Sequence, residues 1–127
     1  MLSEHLQIYR DTYELAKELM EYSSRVPKPI RFGEYGRAVS MSLDALDAIY
    51  VANSDTKERP AALTRILQLL GGVRSRVRLL SELGYVPPRK QTHLMLVLDK
   101  ISKQALGWRN ASQSQSRGAK ATRESST

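Results

Sequence analysis

Six apolar residues, Leu63, Ile66, Leu70, Val73, Val77 and Leu80, recur at strict 3-4-3-4-3 spacing. That interval returns to one side of an α-helix every turn, so this segment must bury a seam against other helices. A second run, Leu94, Leu98, Ile101, Ala105 and Trp108, keeps 4-3-4-3 spacing. Upstream, Leu2, Leu6, Tyr9, Tyr13, Ala16 and Met20 form the main stripe of a first helix that Ser3 is placed to cap. Ile8, Leu15, Leu19 and Tyr22 form a second stripe beside it. Tyr35, Val39, Leu43, Leu46 and Tyr50 form the main stripe of another helix. Proline and glycine punctuate the gaps: Val26-Pro27-Lys28-Pro29, then Pro60, then Gly84 followed by Val86-Pro87-Pro88. The pattern predicts helices over about 3–24, 33–52, 60–83 and 88–110, joined by short loops. Such a chain is expected to be all-α, an antiparallel up-down-up-down four-helix bundle. From Ala111 the composition shifts to ASQSQSRGAKATRESST, read as a flexible basic tail over 111–127.

Several function classes fall away at once. A chain of 127 residues supports one compact domain, and its zero cysteines exclude disulfides, thiol nucleophiles and Cys-based metal sites. No run approaches the roughly 18 to 20 apolar residues that cross a bilayer. The opening MLSEHLQIYRDTYEL carries acids early and has no apolar stretch of the secretory kind, so a cytoplasmic location is expected.

The charge is segregated. A net +7 hides −3 over residues 1–24, +3 over 25–37, −2 over 38–59, +3 over 60–86, +4 over 87–110 and +2 over 111–127. This predicts a basic surface beside an acidic one rather than uniform solubilising charge. Seven of the eight basic residues in 25–37 and 60–86 are arginine, which favours bidentate partners such as phosphate. With the 63–80 seam facing inward, 100° per residue puts Arg74 and Arg78 on one flank with Leu67 and Gly71. Arg65 and Arg76 fall on the other flank with Leu69 and Gly72.

Catalytic constellations are weak. His5 and His93 are distant in sequence and lack HExxH or ligand spacing, so both read as surface residues. The pairs Glu14/Glu18 and Asp44/Asp47 share helix faces but come without the Glu-x-x-His motifs of di-metal bundles, and read as solvated acid. Gly71-Gly72 has no preceding strand and no following Lys-Ser/Thr, so it marks close helix approach or a subunit contact rather than a phosphate loop. Trp108 completes a helix stripe and reads as a core anchor rather than a base-stacking platform. No cofactor is implied.

The stretches KPIRFGEYGRAVS and VRSRVRLLSELGYVPPRKQTHL, with the closing LGWRNA, resemble the accessory variability determinant (Avd) proteins of diversity-generating retroelements. These belong to a broader four-helix-bundle family that includes proteins encoded in intervening sequences of 23S ribosomal RNA genes. The resemblance covers about residues 5–110 and leaves the tail outside it. It implies a homopentameric barrel of four-helix bundles that binds the retroelement's reverse transcriptase and template RNA and is not itself an enzyme. On this resemblance Arg31, Arg37, Arg74, Arg76 and Arg78 are the best contact positions.

The full set of candidate nucleic-acid or partner contacts is Arg25, Lys28, Arg31, Arg37, Arg65, Arg74, Arg76, Arg78, Arg89 and Lys90. Three alternatives compete with the retroelement reading. One is an intervening-sequence-type nucleic-acid-binding bundle. Another is a small all-helical enzyme acting on an anionic substrate, which would need basic residues converging in an inter-helix cavity. The last is a purely structural oligomer.

Overall fold

The computed structural model describes residues 3–125, with side chains described for 7–118. Leu2 therefore lies outside the described residues, as do residues 126 and 127 and the side chains of Ser3, His5 and Leu6. In chain order, α1 spans Ser3–Tyr22 and a 3-10 turn spans Ser23–Arg25. Then follow α2 (Lys28–Arg31), α3 (Glu34–Ser54), α4 (Arg59–Glu82) and α5 (Pro88–Ser125). The four long helices surround one core: α3 packs between α1 and α4, and α5 packs between α4 and α1. Among the described residues there is no strand, so the all-helical bundle expected from the periodicity is the architecture of this chain.

The two most regular seams lie where their spacing puts them. Leu63, Ile66, Leu70, Val73, Val77 and Leu80 of α4 are all buried, as are Leu94, Leu98, Ile101, Ala105 and Trp108 of α5. Trp108 anchors the core, with the Arg59 guanidinium 5.9 Å from its ring centroid.

The other two long helices bury only part of their expected main stripes, Ala16 in α1 and Tyr35 in α3, and α1 turns its second stripe inward. In α1 the buried line is Ile8, Thr12, Leu15 and Leu19, while Tyr9, Tyr13 and Met20 face outward. In α3 the buried line is Tyr35, Ala38, Ser42, Ala45, Ile49 and Ala52, while Leu43 and Tyr50 are exposed. Small residues line α3, which packs more extensively on α4 than any other two helices pack on each other; the Met41 side chain covers Gly72, where a β-carbon would sit 2.3 Å from Met41 Cε. Leu43 and Tyr50 lie off that line, which Tyr35 and Ile49 share with alanines and Ser42. The neighbouring Gly71 meets nothing within 4 Å. Of the pair, only Gly72 lies under a side chain of a neighbouring helix.

Two turns shape one end of the bundle. The first, over residues 23–33, wedges Val26 into the core and is tied by Arg31. Its Nε and Nη2 donate to the Val26 carbonyl at 3.1 and 2.9 Å, and Nη2 also donates to the Ser24 carbonyl at 3.3 Å. Tyr35 then secures α3 to α1 by donating its hydroxyl to the Leu19 carbonyl at 2.5 Å. In the second turn Gly84, at φ 85°, closes α4 with its own amide on the Ser81 carbonyl and that of Tyr85 on the Leu80 carbonyl. Only glycine enters this left-handed conformation without strain.

α5 corrects one expected boundary. It does not stop near 110 but continues as helix to Ser125, through the segment read as a flexible tail. Ala, Gln, Arg and Lys recur there and no proline intervenes. A helix already nucleated by its packed first half gains a hydrogen bond with each residue added. Residues 113–118 are all exposed.

Candidate nucleic-acid interface

Side-chain registers bring both proline-containing turns to the same end of the molecule. Glu18 near the end of α1 meets Lys90 and His93 at the start of α5, Glu34 meets Arg76, and Ser81 meets Gln91. The +3 segment of residues 25–37 therefore shares this end with Arg78, Arg89 and Lys90.

The ten candidate basic residues divide by what they already hold. Arg31 is engaged by the backbone of its own turn. Arg74 pairs with Asp99 and lies 3.5 Å from Met95 Sδ, which ties α4 to α5. Arg76, on the opposite flank of α4, lies 3.1 Å from Glu34 and donates to the Gly72 carbonyl at 3.1 Å. Lys90 lies 2.5 Å from Glu18. These four act first as structural ties. Arg37 and Arg78 are exposed and pair along their own helix, with Glu34 at 3.6 Å and Glu82 at 3.1 Å. Exposed pairs of this kind are weak and yield readily to a stronger anion.

The side chains of Arg25, Lys28 and Arg89 are exposed and make no ion pair or hydrogen bond among the described residues. The Arg25 guanidinium lies 6.0 Å from the Tyr22 ring centroid, a contact that positions the charge and leaves its N–H donors open. On the other helix Lys90 lies 5.5 Å from the same ring. Tyr22, Arg25, Arg89, Lys90 and His93 line an open groove of about 640 Å³, together with Glu18 and Glu21. Burial acts to raise the Glu18 pKa, but hydrogen bonds from Lys90 and His93, and then their charges, outweigh it. The carboxyl is held below the ordinary carboxylate value. Glu18 therefore stays ionised, and the Lys90 ammonium beside it matches its charge.

Arg65 stands apart from the other nine. It lines a separate groove of about 330 Å³ with Asp44, Asp47 and Glu58, where carboxylates outnumber it. Sequence position placed it with the α4 arginines because helix register alone does not show which neighbour's side chains face a flank.

Three residues at the basic end were missed by sequence reasoning. His93 and Tyr22 matter through contacts between α1 and α5 that periodicity does not predict. Phe32, the sole phenylalanine, is 79% exposed at the C-terminus of α2. Its one legible signal is an aromatic residue between Arg31 and Gly33 that belongs to no stripe.

Among the described residues, no group of three or more His, Asp or Glu side chains is placed to hold a metal ion. None of the described helices is long and apolar enough to cross a membrane. No protein-family model matches this chain, and comparison with curated proteins finds no match.

Proposed function

We propose that this protein is a non-catalytic, cytoplasmic accessory protein of a diversity-generating retroelement. It binds the template RNA and the reverse transcriptase through the basic end of the bundle and thereby supports mutagenic copying. The observation that carries this reading is the surplus of cation at one end. Arg25 and Arg89 line one groove there with open donors and Lys28 is exposed in the adjoining turn, while, of the nearby acids among the described residues, Glu18, Glu34 and Glu82 are already paired and only Glu21 is not. A polyanion neutralises such a surface and releases counterions as it does so.

The same reading makes the bundle antiparallel, up-down-up-down, and five copies of it a closed barrel. The pairings of Asp11 with Gln104, of Glu18 with Lys90, of Met41 with Gly72 and of Arg74 with Asp99 support the antiparallel course. The outward apolar residues of α1 and α3 supply surface for assembly. A rival enzyme on an anionic substrate calls for basic residues directed inward. The inward positions of α4 and α5 are apolar, which supports the scaffold instead.

RNA binding measured across a salt series tests the reading, with the triple variant Arg25→Glu, Lys28→Glu, Arg89→Glu beside the single variant Arg65→Glu. Affinity should fall steeply with salt and collapse in the triple variant while Arg65→Glu binds nearly as the parent does. Salt-independent binding, or equal loss in both variants, would sink it. Co-purification with a retroelement reverse transcriptase separates the retroelement reading from an intervening-sequence-type relative.

A further inference from the structure

The most exposed large apolar side chain at the basic end is Phe32, at 79%. Leaving a phenylalanine in water forgoes about 1.5–3 kcal/mol of burial, so the position asks for a reason. The ring stands on a rigid mount. The Phe32 amide donates to the Lys28 carbonyl at 3.0 Å, and the Gly33 amide to the Ile30 carbonyl at 3.1 Å. The preceding residue, Arg31, ties the turn to Val26 and Ser24 by three hydrogen bonds. The turn also presses on the start of α3, since a β-carbon on Gly36 would lie 2.7 Å from the Arg31 carbonyl oxygen. Because the backbone beneath it is held this way, only the ring's own side-chain rotations remain to be ordered when a partner meets it.

Its sequence neighbours favour a nucleic-acid partner. Lys28 precedes it by one helical turn, Arg31 adjoins it and Arg37 follows, while Glu34 is engaged by Arg76 and Arg37. An exposed ring among cations is the arrangement that stacks an unpaired base while its phosphates are neutralised alongside. A duplex offers no such base, because its π-faces are already stacked.

We propose that Phe32 is a stacking platform for an unpaired nucleotide, so that the basic end selects single-stranded over double-stranded RNA. This rests on the RNA-binding reading above and adds the kind of RNA. The test measures the full-length protein against a short single-stranded RNA and against the same strand annealed to its complement, for the parent, Phe32→Ala and Phe32→Trp. Phe32→Ala should weaken single-strand binding by about tenfold or more. Its duplex binding and the salt slope should stay unchanged, and Phe32→Trp should bind the single strand as the parent does. Unchanged single-strand affinity in Phe32→Ala overturns the proposal, as does equal loss on both RNAs. It is also overturned if Phe32→Ala keeps RNA binding and loses only the reverse transcriptase, which would make the ring a protein anchor. Failure of the parent to bind either RNA defeats the underlying reading, a result distinct from all of these.

Discussion

Glu18 and Lys90 join the end of α1 to the start of α5 across 72 positions of sequence, with Nζ 2.5 Å from one carboxylate oxygen. His93 Nε2 lies 3.0 Å from the other oxygen. Both ends of the carboxylate are therefore occupied, and this tie aligns the two helices that form the walls of the basic groove.

Because these contacts hold the Glu18 pKa below its ordinary 4.5, the sign of its pH effect follows. A carboxyl with a depressed folded-state pKa contributes its stability above the unfolded pKa and loses it as the pH falls through the folded one. Glu18→Gln should cost about 1–2 kcal/mol at pH 7, as expected when one partner of a partly buried pair is removed. The gap to the parent should narrow in urea titrations below pH 4.5. A gap that stayed constant down to pH 2 would show that the ion pair does not act this way.

Arg31 separates structural from binding arginines. Arg31→Ala should lower stability by about 1.5–3 kcal/mol, because its charge-assisted bonds to Val26 and Ser24 hold the first turn. Arg25→Ala should leave the melting temperature within about a degree and weaken RNA binding instead. Calorimetry on both variants decides the matter, and an equal melting temperature for the two would refute the division.

The adjacent glycines of α4 should respond differently to alanine. Gly71→Ala, with nothing within 4 Å, should stabilise by about 0.5–1 kcal/mol through helix propensity alone. Gly72→Ala gains the same propensity but forces the Met41 side chain aside, so its net effect should be smaller or of opposite sign. Chemical-denaturation midpoints provide the comparison.

Tyr13 and Tyr50, 51% and 67% exposed, sit on the outward stripes of α1 and α3. If copies of this chain assemble through those faces, native mass measurement should show an oligomer for the parent and monomer for Tyr13→Glu combined with Tyr50→Glu. Circular dichroism of the two should coincide. An oligomer that survives the double variant would place the assembly surface elsewhere.

Periodicity, proline placement and charge order are local properties, and they were sufficient for the four long helices, the buried seams of α4 and α5, the turns and the basic character of residues 25–37 and 74–90. Where a helix carries two apolar stripes, as α1 does, hydropathy does not choose between them. The choice belonged to the packing of the helices on one another, which also buries Ala38, Ala45, Ala48 and Ala52 of α3 and leaves Leu43 and Tyr50 outside. The same holds for charge. Arg31, Arg74, Arg76 and Lys90 are tied, Arg65 lies among acids, and Arg25, Lys28 and Arg89 are open because of which carbonyl or carboxylate each meets. Counting charges along a chain fixes their sum by region. Which of them remain available to a partner is set by distances between helices, and those exist only once the chain has folded.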